Sequence, residues 1–165
     1  MSVIREISAL DHRYAPLAEK LIRRCTEDGI ETIVIETRRL LETQIAYWLR
    51  SRAPVATVKA VFSRCGLWTI TDAEASTLNT QTLYSKHIDG LAMDLAAAKV
   101  GVPWWDAPLS VWERIWHIAE DECGLDACAG GKWQAWRLNG RPWDLPHIEF
   151  RDGALDDFRH GEGIA

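Results

Sequence analysis

The chain has 165 residues, 47% of them hydrophobic and 26% charged, the size and make-up of one globular domain, which excludes disordered, collagen-like and low-complexity classes. A net charge of -5 provides no broad basic field, so neither nucleic acid nor an anionic membrane surface is expected as the main partner. No stretch approaches the ~20 apolar residues of a membrane span. Arg5, Glu6, Asp11, His12 and Arg13 stand where a signal peptide needs its apolar core, so synthesis in the cytoplasm without a Sec-type signal is expected. The four cysteines, Cys25, Cys65, Cys123 and Cys128, form no CxxC pair, and reduced, mostly buried thiols are expected.

In chain order, residues 14–28 place Leu17, Leu21, Ile22 and Cys25 at helical spacing before Gly29, a natural stop. Residues 31–37 (ETIVIET) are β-branched and apolar and read as a buried strand. Residues 39–50 read as a second helix that ends before Pro54. Residues 51–86 have mixed character and are expected to be mainly loop. Residues 91–96 (LAMDLA) suggest a strand with Ala92 and Asp94 on one side. Ser110 and Glu113 are spaced as a capping box for a helix over 111–123, which Gly124 ends. HIEF at 147–150 reads as a short strand after Pro146. Helices and short strands mix without a regular βαβ alternation, so the fold class expected is α+β in one domain.

The chemistry concentrates in two segments. In Ser85-Lys86-His87-Ile88-Asp89-Gly90-Leu91-Ala92-Met93-Asp94, a bend at Gly90 would let the His87 imidazole and the Asp94 carboxylate converge. Both are donors that zinc accepts. In Trp143-Asp144-Leu145-Pro146-His147-Ile148-Glu149, His147 offers a second imidazole beside two carboxylates. Two His and one carboxylate, with a position left for water, is the open arrangement of a catalytic zinc. It is also the donor set of non-heme iron oxygenases, so ligand type leaves the metal open. Spacing by itself is equally compatible with ordinary surface or core histidines.

These segments resemble a known family. SKHIDGLAMD matches the SxHxxGxAxD signature of the M15 zinc metallopeptidases, the D-alanyl-D-alanine carboxypeptidase and VanY/VanX-like peptidoglycan peptidases, and WDLPHIE is similar to their D-x-P-H-x-E element. WWDAPLSVWERIWHIAEDECGL followed by GGKW resembles the L-alanyl-D-glutamate endopeptidases of phage endolysins, as does IETRRLLETQIAYWLRSR, with Arg39 and Gln44 in register. The resemblance covers residues 15–150 and departs at Ile148, where the family often has an aromatic residue. It is weak over 51–84.

The resemblance implies an α+β peptidase domain over 1–150, with a small antiparallel sheet flanked by helices and a zinc site in the cleft; residues 151–165, polar and Gly-containing, read as a loose tail. It implies Zn2+ held by His87, Asp94 and His147, with Asp144 as catalytic acid/base and Arg39 as the cation for the oxyanion. Arg38 is adjacent, so that assignment could shift by one. Ser85, Gln44 and Trp143 are expected to bind substrate or order the site, and Glu149 to fix the His147 tautomer. Of nine tryptophans, Trp112 and Trp116 are expected in the core and Trp133 and Trp143 near the cleft. His12, His117 and His160 fit no motif.

The function implied is hydrolysis of the L-alanyl-D-glutamate bond of the bacterial peptidoglycan stem peptide. The expected protein is a monomer made in the host cytoplasm and released to the wall as a phage lysis enzyme. The alternatives are a D-alanyl-D-alanine carboxypeptidase or dipeptidase, and a non-catalytic zinc domain that binds the cell wall.

Overall fold

A computed structural model describes residues 3–80, 82–127, 137–138, 141–142 and 144–150. Helix α1 (Ala15–Glu27) begins with Pro16 in its first turn, where a missing N–H does no harm. It buries Ala18, Leu21 and Cys25 and stops at Gly29 (φ +79°). Strand β1 (Thr32–Glu36) follows, then α2 (Leu41–Leu49), α3 (Val55–Arg64) and the single-turn α4 (Asp72–Ala75). Strands β2 (Ala92–Lys99) and β3 (Val102–Pro103) precede α5 (Leu109–His117), which runs into a π-helical turn over Ile118–Glu122. Short strands β4 (Asp126–Ala127), β5 (Arg137–Leu138), β6 (Arg141–Pro142) and β7 (His147–Glu149) complete the described chain.

The main sheet is antiparallel, in the order β1-β2-β7-β4, with β3 on the far end of β2. Side chains alternate across it. Met93, Ile148 and Ala127 lie in one row across β2, β7 and β4. With Leu95 and Ala97 they pack on Tyr14, Leu21 and Cys25 of the α1 region and on Trp112, Ile115 and Trp116 of α5. The opposite face carries Asp94, His147 and Glu149. This is the α+β single domain expected, with a small antiparallel sheet flanked by helices.

Two expectations are corrected and one is refined. Residues 51–86 are mostly turn and loop, as expected, but they also hold α3 and α4, which form a second core with α2 in which Val58 and Phe62 pack on Ala46, Tyr47 and Ala75. Val58 and Phe62 are four apart, a helical signal diluted by β-branched neighbours with weak helix propensity. Ser110 caps nothing, because Pro108 occupies the N-cap and Ser110 falls inside the helix. The capping box lies at Thr71 and Glu74, where Glu74 N donates to Thr71 Oγ1 (3.2 Å) and Thr71 N to Glu74 Oε2 (2.8 Å). Finally, β2 runs beyond residue 96 through Ala97–Lys99, because pairing with β1 and β3 overrides alanine's weak strand preference.

As expected, Trp112 and Trp116 are buried, and Cys25, Cys65 and Cys123 are free and buried. Cys128, Trp133, Trp143, His160 and the tail 151–165 lie outside the described residues. Among the described residues no helix is long and apolar enough to cross a membrane.

Candidate metal centre

Cross-strand register builds the site. Asp94 of β2 stands directly opposite His147 of β7 and, on its other side, opposite Glu36 of β1. A register shift between Val34 and Glu36 inserts Ile35 as an extra residue and brings Glu36, rather than Ile35, against Asp94. A row of two acids and an imidazole therefore crosses three strands on one face. His147 and Glu149 share that face, two residues apart on β7.

His87 arrives from the turn before β2. Ile88 N donates to Ser85 O (2.9 Å), Gly90 N to His87 O (3.2 Å) and Leu91 N to Lys86 O (2.9 Å), which winds residues 85–91 tightly. Gly90 makes the bend with φ +70°, and a Cβ there would lie 2.9 Å from Asp11 N and 3.2 Å from Ala9 O. Only glycine fits both the dihedral and the space.

The three donor groups meet. His87 Nε2 lies 3.1 Å from His147 Nδ1 and 3.3 Å from Asp94 Oδ1, and His147 Nδ1 lies 3.1 Å from Asp94 Oδ1. Donor atoms ~2.0–2.2 Å from one tetrahedral ion stand ~3.3–3.6 Å apart, so this triangle needs only slight expansion to enclose a metal. The outer nitrogens fix the tautomers. His87 Nδ1 is 2.6 Å from Thr37 O, a carbonyl that can only accept, so this nitrogen carries the proton. His147 Nε2 is 3.0 Å from Glu149 Oε1. Burial would raise the Glu149 carboxyl, but the His147 hydrogen bond and the Lys86 ammonium hold it at about 2, so it accepts from His147. With the outer nitrogens directed at Thr37 O and Glu149, His87 Nε2, His147 Nδ1 and Asp94 Oδ1 face one another. A cation satisfies all three at once. The donors fit a borderline divalent ion such as zinc, with each imidazole oriented by a second acceptor.

Burial opposes ionisation of Asp94, yet positive charge facing it, as protonated His87 and His147 rings supply, outweighs burial and holds the carboxyl well below the ordinary range. Asp144 shifts the other way, raised chiefly by burial. It sits at φ +57°, with its carbonyl accepting from His147 N (3.2 Å). That left-handed turn carries the chain into β7, and Trp116 Nε1 donates to Leu145 O (3.0 Å) to seat the loop on α5.

Arg39 lies beside the triad. Its Nη2 pairs with Glu36 and is 3.9 Å from Asp94 Oδ2, and Nη1 donates to Gln44 Oε1 (2.7 Å). Its guanidinium also stacks 4.8 Å from the Tyr47 ring centroid. Burial disfavours its charge, and the Glu36 carboxylate more than restores it. Arg38 is exposed, which separates the two arginines. Gln44 is buried and donates to Thr82 O (2.6 Å), tying α2 to the segment that leads into the turn. Ser85 Oγ accepts from His87 N (3.4 Å), ordering the turn. Trp143 lies outside the described residues.

Three partners escaped the sequence reading: Thr37, Glu36 and Lys86. Glu36 ends a β-branched run three residues before Arg39, a signal that could have been found. Lys86 is fully buried, with Nζ 2.8 Å from Glu149 Oε2. Nothing in the sequence marks a lysine for burial. Thr37 acts through its main chain, which any residue type supplies.

No protein-family model matches the sequence, and no curated protein matches it either. Solved structures share its fold. The vancomycin-resistance D,D-pentapeptidase VanY from a VanB-type cassette, in complex with Zn(II), aligns at TM-score 0.52 and 19% identity over 92% of this chain and 79% of that one. The L-Ala D-Glu endopeptidase ChiX of Serratia marcescens aligns at 0.53 and 19% over 99% and 95%. The LdcB LD-carboxypeptidase aligns at 0.53 and 13% over 93% and 64%. At these identities the likeness is one of fold. The chain shares the fold of these peptidases, and it carries on that fold a His-Asp-His group that could hold a metal.

Proposed function

We propose that this protein is a zinc-dependent peptidoglycan peptidase of the M15 type, with His87, Asp94 and His147 as ligands, cleaving the L-alanyl-D-glutamate bond of the stem peptide. The convergence of His87, Asp94 and His147 on one point carries this reading. The motifs of the sequence and a fold shared with ChiX and VanY support it. Zinc held there supplies Lewis acidity and a nucleophilic water at neutral pH. Asp144 takes the nucleophile's proton on its carboxylate and returns it to the nitrogen of the departing amine, a role suited to an acid whose pKa is raised by burial. Arg39, kept charged by Glu36 and aimed by Gln44, supplies positive charge where the carbonyl oxygen becomes an anion. A lysis enzyme made in the cytoplasm and released to the wall is the setting this activity suits.

Isolated cell walls are incubated with the protein and with His87→Ala, and the muropeptides are read by mass spectrometry. New N-terminal D-glutamate, lost in the variant, is expected. The likeness to VanY favours a second reading, and free D-alanine would establish that carboxypeptidase activity instead. A protein that binds zinc but releases no fragment would be a wall-binding domain.

A further inference from the structure

We infer that Lys86 is a positioning residue for the metal centre: it clamps Glu149, so that His147 presents Nδ1 to the ion. The inference rests on the zinc reading and adds a residue the motif leaves variable.

Glu149 is held at two points. Oε1 meets His147 Nε2 at 3.0 Å, and Oε2 meets Lys86 Nζ at 2.8 Å. A carboxylate held only through Oε1 can rotate about its last torsion, whereas the ion pair of Oε2 with the Lys86 ammonium opposes that rotation. Lys86 is itself fixed, because Nζ also donates to Phe150 O (3.3 Å) and its carbonyl accepts from Leu91 N (2.9 Å). The residue across from Glu149 on β2 is Ala92, whose methyl offers no competing polar group. One tight turn therefore delivers a first ligand through His87 and locks the orientation of a second through the adjacent Lys86. Burying an ammonium is costly, and a hydrophobic pair of similar volume is often as stable. A structural role alone gives little reason for a lysine here.

The test compares the protein with Lys86→Met, Glu149→Gln and the double variant. Zinc affinity is measured by competition with a chromophoric chelator. The His147 tautomer is read in the metal-free protein at alkaline pH by long-range proton–nitrogen correlation spectra. Partners behind a metal-bound histidine change affinity ~10–100-fold when removed. Lys86→Met is expected to weaken zinc about 10-fold and to mix the His147 tautomers, and the double variant to bind no more weakly than Glu149→Gln. A Lys86→Met protein of lower melting temperature, with unchanged zinc affinity and a single Nε2-protonated His147, would make the pair purely structural and overturn the inference. Additive losses in the double variant would overturn it too. If Lys86→Met does not fold, Lys86→Gln removes the charge at similar size and is judged by the same outcomes. Failure of the unaltered protein to bind zinc defeats the zinc reading instead, and the tautomer spectra still decide whether Lys86 sets the ring.

Discussion

Replacing Gly90 with alanine tests how the turn places His87 beside Asp94. The φ of +70° imposes a left-handed penalty of ~1–2 kcal/mol on any L-residue. The new Cβ would also stand 2.9 Å from Asp11 N and 3.2 Å from Ala9 O, main-chain atoms that cannot swing aside. Relief requires separating the two segments, at the expense of the Asp11 N to Gly90 O hydrogen bond of 3.0 Å. Overpacking and the lost bond add about 1–3 kcal/mol. Gly29 provides the control, with φ +79° and nothing within 4 Å of its Cβ position. Gly29→Ala is therefore expected to lose only the dihedral part, and Gly90→Ala about 1–3 kcal/mol more. Urea unfolding followed by tryptophan fluorescence measures both, and chelator competition measures zinc affinity, which should fall only in Gly90→Ala. Equal stability losses in the two variants would refute the close-approach argument.

Zinc at ~100 times its Kd should stabilise the protein by about 2.7 kcal/mol; thermal unfolding with and without chelator should show this shift, and His87→Ala should lack it. Asp144→Asn is expected to keep its zinc while turnover on muropeptides falls ~10²–10⁴-fold, the usual size of an acid/base contribution. Arg39→Met should lower kcat ~10²–10³-fold with little change in zinc affinity, if its charge acts on the oxyanion; a change confined to zinc affinity would make it a brace for Asp94. Asp11 accepts from Arg13 through side chain and backbone, which holds its carboxyl at about 2 against an ordinary 3.8. Its folded pKa lies below the unfolded one, so its contribution is present above the unfolded value and is lost as pH falls from there through the folded one. Urea midpoints taken down through that window should fall less steeply in Asp11→Asn.

Legibility in the sequence followed the range of the interaction. The α1 stripe of Leu21 and Cys25, the β-branched run of β1 and the bend at Gly90 each depend on neighbours within a few residues, and each was readable. The His147–Ile148–Glu149 alternation likewise placed Glu149 beside the ring. Helix α3 was missed because Val55, Val58 and Val61 have the propensities of a strand, and only packing against Tyr47 and Ala75 makes them helical. The Ser110 box was misread because its spacing also occurs inside helices, and Pro108 two residues earlier decided the start.

Donor chemistry belongs to individual side chains, so the presence of two imidazoles and an acid suited to a divalent ion could be read from composition and order. Their meeting could not. It required Asp94 and His147 to fall opposite one another, an extra residue in β1 to turn Glu36 inward, and Lys86 to sink behind Glu149. Register and burial are sums over contacts between segments more than fifty residues apart, and no local pattern encodes a sum of that kind.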